Sequence, residues 1–216
     1  MRLSDDATSE HTSVSKAHII CTVTISTSDQ TDHNKNQPQQ RVPQFPNPHM
    51  PTTRSQNREA DMEAALKTFF SSPRFAVAGA SSDPNKYGHK IFAWYLRHSL
   101  PVTPINPRVP TVNILQREHT TVASPKALTD PPASAYSLSV ITPPAVTRQL
   151  LKEAKEAGVP AVWLQPGSFD DEVLAYARAN FEAAIGGDGG GGTEGWCVLV
   201  DGEEGLKLAG REWSRL

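Results

Sequence analysis

The chain has 216 residues, a formal net charge of −2 and two cysteines, Cys21 and Cys197. That length allows one domain plus further sequence, and the near-neutral balance gives no general attraction to nucleic acid or to an anionic membrane. Two thiols so far apart argue against a disulfide framework and for a reducing, cytoplasmic setting. No apolar run approaches the ~20 residues needed to span a bilayer. Residues 18–25 (HIICTVTI) are too few, and Asp5 and Asp6 before them do not suit a signal or transit peptide.

Residues 1–60 read as a disordered polar tail. From 27 to 58 the chain is rich in Ser, Thr, Asp, Asn, Gln and Pro, with Pro38, Pro43, Pro46, Pro48 and Pro51. Such a segment has too little apolar surface to offset its ordering entropy. A weak β tendency at 19–25 is the exception. The tail is either an extension of the domain or an artefact of an assumed translation start. The folded domain is expected over 62–216, opening with a helix at 62–70 that leads into a strand at 74–79.

Helix and strand then alternate. A helix over 86–98 puts Tyr87, Ile91 and Tyr95 on one face, and a strand follows at 102–106. A loop with a possible short strand near 120–122 leads to a helical turn at 124–128 and a strand at 136–141. The helix expected at 144–157 ends at Gly158. A strand at 160–164, a helix at 169–180 capped by Ser168, and a short strand at 181–185 complete the series. A glycine run, 186–192, reads as a flexible hinge or lid before a last apolar segment at 196–200. This order predicts an α/β fold of three layers, Rossmann-like, with a mostly parallel sheet of about five strands.

In such a sheet ligands bind beyond the carboxyl ends of the strands. The four strand ends read Gly79-Ala80-Ser81-Ser82, Asn106-Pro107-Arg108, Thr142-Pro143-Pro144 and Gln165-Pro166-Gly167-Ser168. All are small, polar or fixed by proline. The first runs through a turn into a helix, the arrangement in which glycine lets backbone approach a phosphate and helix N–H groups face it. Where a plain NAD site has an acid after the second strand, this chain has Asn106 and then Arg108, and Ser81 replaces the second glycine of G-x-G-x-x-G. An arginine suits a phosphate on the ribose, which leaves NADP or coenzyme A.

The clusters resemble the CoA-binding domain family, the Rossmann-like domain shared with the N-terminal part of the succinyl-CoA synthetase α subunit. The resemblance rests on Val77-Ala78-Gly79-Ala80-Ser81, Tyr87-Gly88, Ile105-Asn106-Pro107, Thr142-Pro143-Pro144 and Val162-Trp163-Leu164-Gln165-Pro166-Gly167, in order over about residues 66–185. The glycine-rich C-terminal stretch is similar to that of fungal stand-alone members. The resemblance implies that Gly79, Ala80 and Ser81 meet the pyrophosphate, with Ser82 and Tyr87 beside them. It implies that Asn106, Pro107 and Arg108 lie near the ribose and its phosphate, that Thr142 and Pro143 wall the adenine or pantetheine path, and that Gln165 and Gly167 line the far side. The family often has lysine after its Asn-Pro; Arg108 keeps the charge. The synthetase's phosphorylated histidine comes from a second domain that nothing here supplies, so ligase activity is not implied.

The residues offer no convincing catalytic set or metal site. His11, His18, His33 and His49 lie in the tail, His89 and His98 are poorly spaced for one helix face, and His119 is in a loop. Cys197, flanked by apolar residues, reads as a buried inert thiol. Asp170, Asp171 and Glu172 read as first-turn acids of a helix, and the glycine run lacks the Lys-Ser/Thr of a P-loop. The expected ligand is coenzyme A or acyl-CoA, bound without catalysis, and a protein partner or a second copy of the chain is possible. The alternatives are an NADP-dependent oxidoreductase on the same fold and a regulatory subunit with a vestigial pocket.

Overall fold

The computed structural model describes residues 53–214, with side chains over 59–214. The tail reading lies outside the described residues as far as 52, and so does the β tendency at 19–25. From there the chain is helical: α1 runs Thr53–Ser71, ahead of the expected start at 62. Beyond Pro51 the sequence RSQNREAD has no proline or glycine and several good helix formers, so nothing stops the helix extending backward.

There follow β1 (Arg74–Ala78), α2 (Tyr87–Arg97), β2 (Val102–Ile105), β3 (Thr111–Ile114), β4 (Arg117–Thr120), β5 (Tyr136–Val140), α3 (Pro144–Ala157), β6 (Ala161–Leu164), α4 (Asp171–Asn180), β7 (Ala183–Ile185) and α5 (Val198–Leu208). Five strands form one sheet in the order β2-β1-β5-β6-β7, and every pairing is parallel. Successive side chains along each strand point to opposite faces of the sheet, and both faces are covered. Phe75, Val77, Ala161, Trp163 and Ile185 face one apolar layer with α1, α2 and α5. Ala76, Ala78, Leu138, Val140, Val162 and Leu164 face the other with α3 and α4. This is the expected three-layer Rossmann-like arrangement. The strand order turns back between β1 and β5, and at that switch point the connecting helices leave on opposite faces.

Two polar pairs sit within the layer that holds α1 and α2. Ser137 Oγ donates to Phe69 O at 2.7 Å, and Tyr95 OH meets Ser139 Oγ at 2.7 Å. Burial pushes the Tyr95 phenol pKa up, only partly offset by the bond to Ser139. Tyr95 and Ile91 are buried, but Tyr87, expected on the same face, is 54% exposed. It is the first residue of α2 and projects past the edge of the sheet.

The last apolar segment, expected at 196–200, is the start of the helix α5, and the cap of α4 and the segment after β2 also differ from the sequence reading. The cap of α4 is Asp170, whose Oδ1 accepts from Val173 N at 2.8 Å. Ser168 is buried instead, with its hydroxyl on Gln165 O at 2.7 Å. Between β2 and the turn at 125–127 lies a hairpin, β3 with β4 antiparallel. Its turn residues Leu115 and Gln116 have φ of 51° and 60°. Tight hairpin turns needing positive φ normally advertise themselves with Asn or Gly, and this one does not.

Helix α5 closes the layer of α1 and α2. It approaches them closely because Gly202 and Gly205 face inward: a Cβ on Gly202 would lie 2.4 Å from Trp94 Cζ2, and one on Gly205 2.4 Å from Phe70 Cε2. His98 Nε2 meets Glu203 Oε1 at 3.1 Å, and Arg211 donates to Phe70 O at 2.9 Å and Ser72 O at 2.6 Å. In an exposed helix, glycine to alanine gains up to about 1 kcal/mol. Here the overlap with buried rings reverses the sign. Gly205→Ala is expected to lower stability by about 1–3 kcal/mol, read from the shift of the urea midpoint at unchanged slope.

Candidate functional site

The site is built where β1, β2 and β5 end. Past Ala78, Gly79 N donates to Ile105 O at 3.1 Å and Ile141 N to Ala78 O at 3.0 Å, so the chain leaves β1 pinned from both sides. Gly79 has φ of +94°, a conformation side chains rarely adopt. Gly88, in the first turn of α2, sits directly above it, and a Cβ there would be 2.0 Å from Gly79 O. The paired absence of Cβ atoms brings the start of α2 onto the strand end.

The loop between them is held by side chains acting on backbone. Ser81 Oγ accepts from Asp83 N at 3.2 Å, and Asp83 Oδ1 from Asn85 N at 3.0 Å. His89 Nδ1 lies 3.2 Å from Ser81 O; a carbonyl can only accept, so this ring nitrogen carries the proton. Asn106 Nδ2 donates to Ala80 O at 2.9 Å, while its Oδ1 accepts from Arg108 N at 2.9 Å. Ser82 Oγ accepts from Asn113 N at 2.9 Å, tying the loop to β3. At the end of β5, Thr147 Oγ1 donates to Thr142 O at 2.8 Å. Its proton is thereby committed, so in the 2.8 Å contact between the two hydroxyls Thr142 donates.

The start of α2 is unusual in charge. Its N-cap is Lys86, no side chain caps it, and its first turn holds no acid. Lys86 and Lys90 are exposed and His89 is half-buried beside the turn. Cations at the positive end of a helix dipole repel it, by about 0.3–1 kcal/mol each. By contrast α4 starts on Asp170 with Asp171 and Glu172 following.

Gln165 follows β6. Its backbone N–H donates to Val140 O at 3.0 Å and its Oε1 accepts from Val198 N at 3.0 Å. The residue is 2% exposed, and among the described residues its Nε2 has no hydrogen-bond partner. An unpaired buried donor costs about 1–3 kcal/mol.

The structure therefore brings Gly79, Ala80, Ser81, Ser82, Asn106, Pro107, Arg108, Thr142 and Pro143 to three adjacent strand ends, with Gln165 and Gly167 at the next. Ala80 points into the core at 1% exposed, so only its backbone faces the edge. Asn106 uses both ends of its amide on the protein. Arg108 is exposed. What the sequence reading missed is the hairpin behind Ser82 and the hold on the glycine run. Asp201, from α5, accepts from Gly191 N at 2.6 Å and Cys197 N at 2.8 Å, and Arg178 Nη2 donates to Gly186 O at 3.1 Å. An acid in an apolar helix was the available signal. Cys197 is half-buried rather than buried, and desolvation pushes its thiol pKa up, only partly offset by backbone N–H groups. Among the described residues no three His, Cys, Asp or Glu side chains gather to hold a metal ion, and no helix is long and apolar enough to cross a membrane.

A family model described as a CoA binding domain matches residues 73–190, more than half of the chain. The protein belongs to the CoA-binding domain family. Among solved structures, a conserved hypothetical protein from Pyrococcus furiosus is 31% identical, with 51% of this chain and 90% of that one covered and a TM-score of 0.45. A protein titled as redesigned for binding, Prb, is 20% identical over 69% of this chain and 94% of its own, with a TM-score of 0.50, a likeness of fold alone. A protein from Thermus thermophilus is 24% identical over 69% and 87%, with a TM-score of 0.42. No curated protein matches the chain. None of these matches bears on the resemblance to fungal members.

The approach of Gly88 to Gly79 O leaves no room for a methyl group. Gly88→Ala is expected to cost about 1–3 kcal/mol or more of stability and to displace the start of α2, measured as a lowered melting temperature together with loss of nucleotide binding.

Proposed function

We propose that this domain binds coenzyme A or an acyl-CoA at the ends of β1, β2 and β5. The pyrophosphate lies against residues 79–82 and the N-terminus of α2, and Arg108 pairs with the ribose phosphate. Thr142 and Pro143 flank the pantetheine arm, and Gln165 and Gly167 lie beyond them. The observation that carries this reading is the charge at the start of α2. An uncapped helix end with Lys86, His89 and Lys90 and no acid in its first turn is unfavourable alone and favourable beside a phosphate. The family match supports coenzyme A as the source of that phosphate.

In this reading the domain senses or carries acyl-CoA in the cytoplasm and passes it to a protein partner or a second copy of the chain. NADP is the rival ligand, since Arg108 suits its ribose phosphate too. An oxidoreductase needs a proton donor at the nicotinamide. Tyr87 sits at the phosphate end, and Lys90 Nζ lies over its ring, 5.3 Å from the centroid, in a cation–π contact rather than at its hydroxyl.

Calorimetric titration with coenzyme A, acetyl-CoA and NADPH in parallel tests the reading. Micromolar binding of coenzyme A with NADPH silent is expected, and the reverse overturns it. Arg108→Ala is expected to weaken coenzyme A about tenfold or more, equivalent to about 1.4 kcal/mol, and to leave dephospho-CoA within about twofold. Equal losses for both ligands would remove Arg108 from the ribose phosphate.

A further inference from the structure

We infer that the end of β6 is a subsite for a carbonyl oxygen on the ligand's flexible arm, with Gln165 Nε2 as its hydrogen-bond donor; this rests on the coenzyme A reading above. The position follows from the sheet. Gln165 lies two strands from Gly79 in the order β1-β5-β6, about 10 Å at about 4.8 Å per strand. That is within the length of a pantetheine arm anchored by its pyrophosphate.

The orientation of the amide follows from its bonds. Val198 N holds Oε1 at 3.0 Å, so the carbonyl side of the amide is fixed toward α5 and the NH2 group is turned away from it. Gln165 O is occupied by Ser168, through both its N–H at 3.0 Å and its hydroxyl at 2.7 Å. What remains is a donor with two protons, in a residue 2% exposed, without a partner among the described residues. Buried donors are rarely left so without a reason in function. The partner it lacks is an acceptor, not an anion, because no cationic side chain accompanies it in any contact that fixes the amide. Pantetheine carries amide carbonyls, and an acyl-CoA adds a thioester carbonyl.

The residues that orient this donor belong to the C-terminal part of the chain. Val198 lies beyond the family match, which ends at 190. The segment leading to it runs along the end of β6: a Cβ on Gly186 would meet Leu164 O at 3.3 Å, and Trp163 Nε1 donates to Trp196 O at 3.2 Å. The Asp201 carboxylate, by accepting from Gly191 N and Cys197 N, holds this segment beside Gln165.

The test is calorimetry on the full chain, wild type, Gln165→Met and Gln165→Glu, with coenzyme A, acetyl-CoA and adenosine 3′,5′-bisphosphate, which lacks the arm. Gln165→Glu keeps an acceptor for Val198 N, removes the amide donor and adds a carboxylate; Gln165→Met removes donor and acceptor without adding charge, so an effect common to both variants reports the lost donor. Melting curves verify that each variant is folded. Both variants are expected to bind coenzyme A about tenfold more weakly and the bisphosphate within about twofold of wild type. A larger loss for acetyl-CoA than for coenzyme A assigns the carbonyl to the thioester; equal losses assign it to a pantetheine amide. Unchanged affinity for both coenzyme A and acetyl-CoA in both variants overturns the subsite, as does a matching loss for the bisphosphate. Failure of the wild type to bind either ligand instead overturns the coenzyme A reading itself.

Discussion

The contact between Gly88 and the carbonyl of Gly79 is the constraint on which the site depends. It forces α2 to start on top of the end of β1, at the switch point of the sheet, rather than after a longer connection. With α2 fixed there, its buried face at Ile91, Phe92 and Tyr95 meets Phe75 and Val77. The small residues at 79–82 therefore allow close packing of helix on strand, and in the proposed function they also allow close approach of a ligand to the backbone.

Polar side chains around that contact are bonded to the protein, not left waiting for a ligand. Asn106 links the loop at Ala80 to its own turn at Arg108, Ser82 links it to the hairpin, and Thr142 and Thr147 satisfy each other. The strand-end surface is thus mainly backbone on a braced frame, with the exposed Arg108 side chain beside it. A braced frame lowers the ordering cost of binding. Within that frame the Asn106 amide and the Ser82 hydroxyl brace the loop.

The fold was largely legible because its strands and helices alternate with clear periods. The 3.6-residue period of 144–157 and its stop at Gly158, with φ of +85°, match α3 to the residue. The chain is less legible where the cue is ambiguous or missing. Ser168 and Asp170 are both good caps, and only burial of Ser168 decides between them. The hairpin lacks a turn signature at Leu115 and Gln116. Glycines at 186–192 suggest freedom, yet the carboxylate that holds them comes from Asp201, beyond any local pattern. The strand ends were readable because topology alone brings them together; the orphan amide of Gln165 was not, since an unpaired donor exists only once its neighbours are in place.

Four helices begin at the ligand edge, and their starts differ in a way that selects the anion site. Helix α3 opens on Pro143 and Pro144, and residue 144 has no N–H to give. Helix α4 has its own carboxylate in Asp170. Helix α5 has Asp201 on Cys197 N and Gln165 on Val198 N. At α2 neither a capping side chain nor a first-turn acid is present, the Asp83 carboxylate of the preceding loop is taken up by Asn85 N, and Lys86 and Lys90 lie at the helix start. A free phosphate arriving at this edge finds internal carboxylates competing at two starts, a proline at the third and an open dipole with cations at the fourth. Selectivity for one helix end then follows from how the others are already occupied, as much as from any attraction at α2 itself.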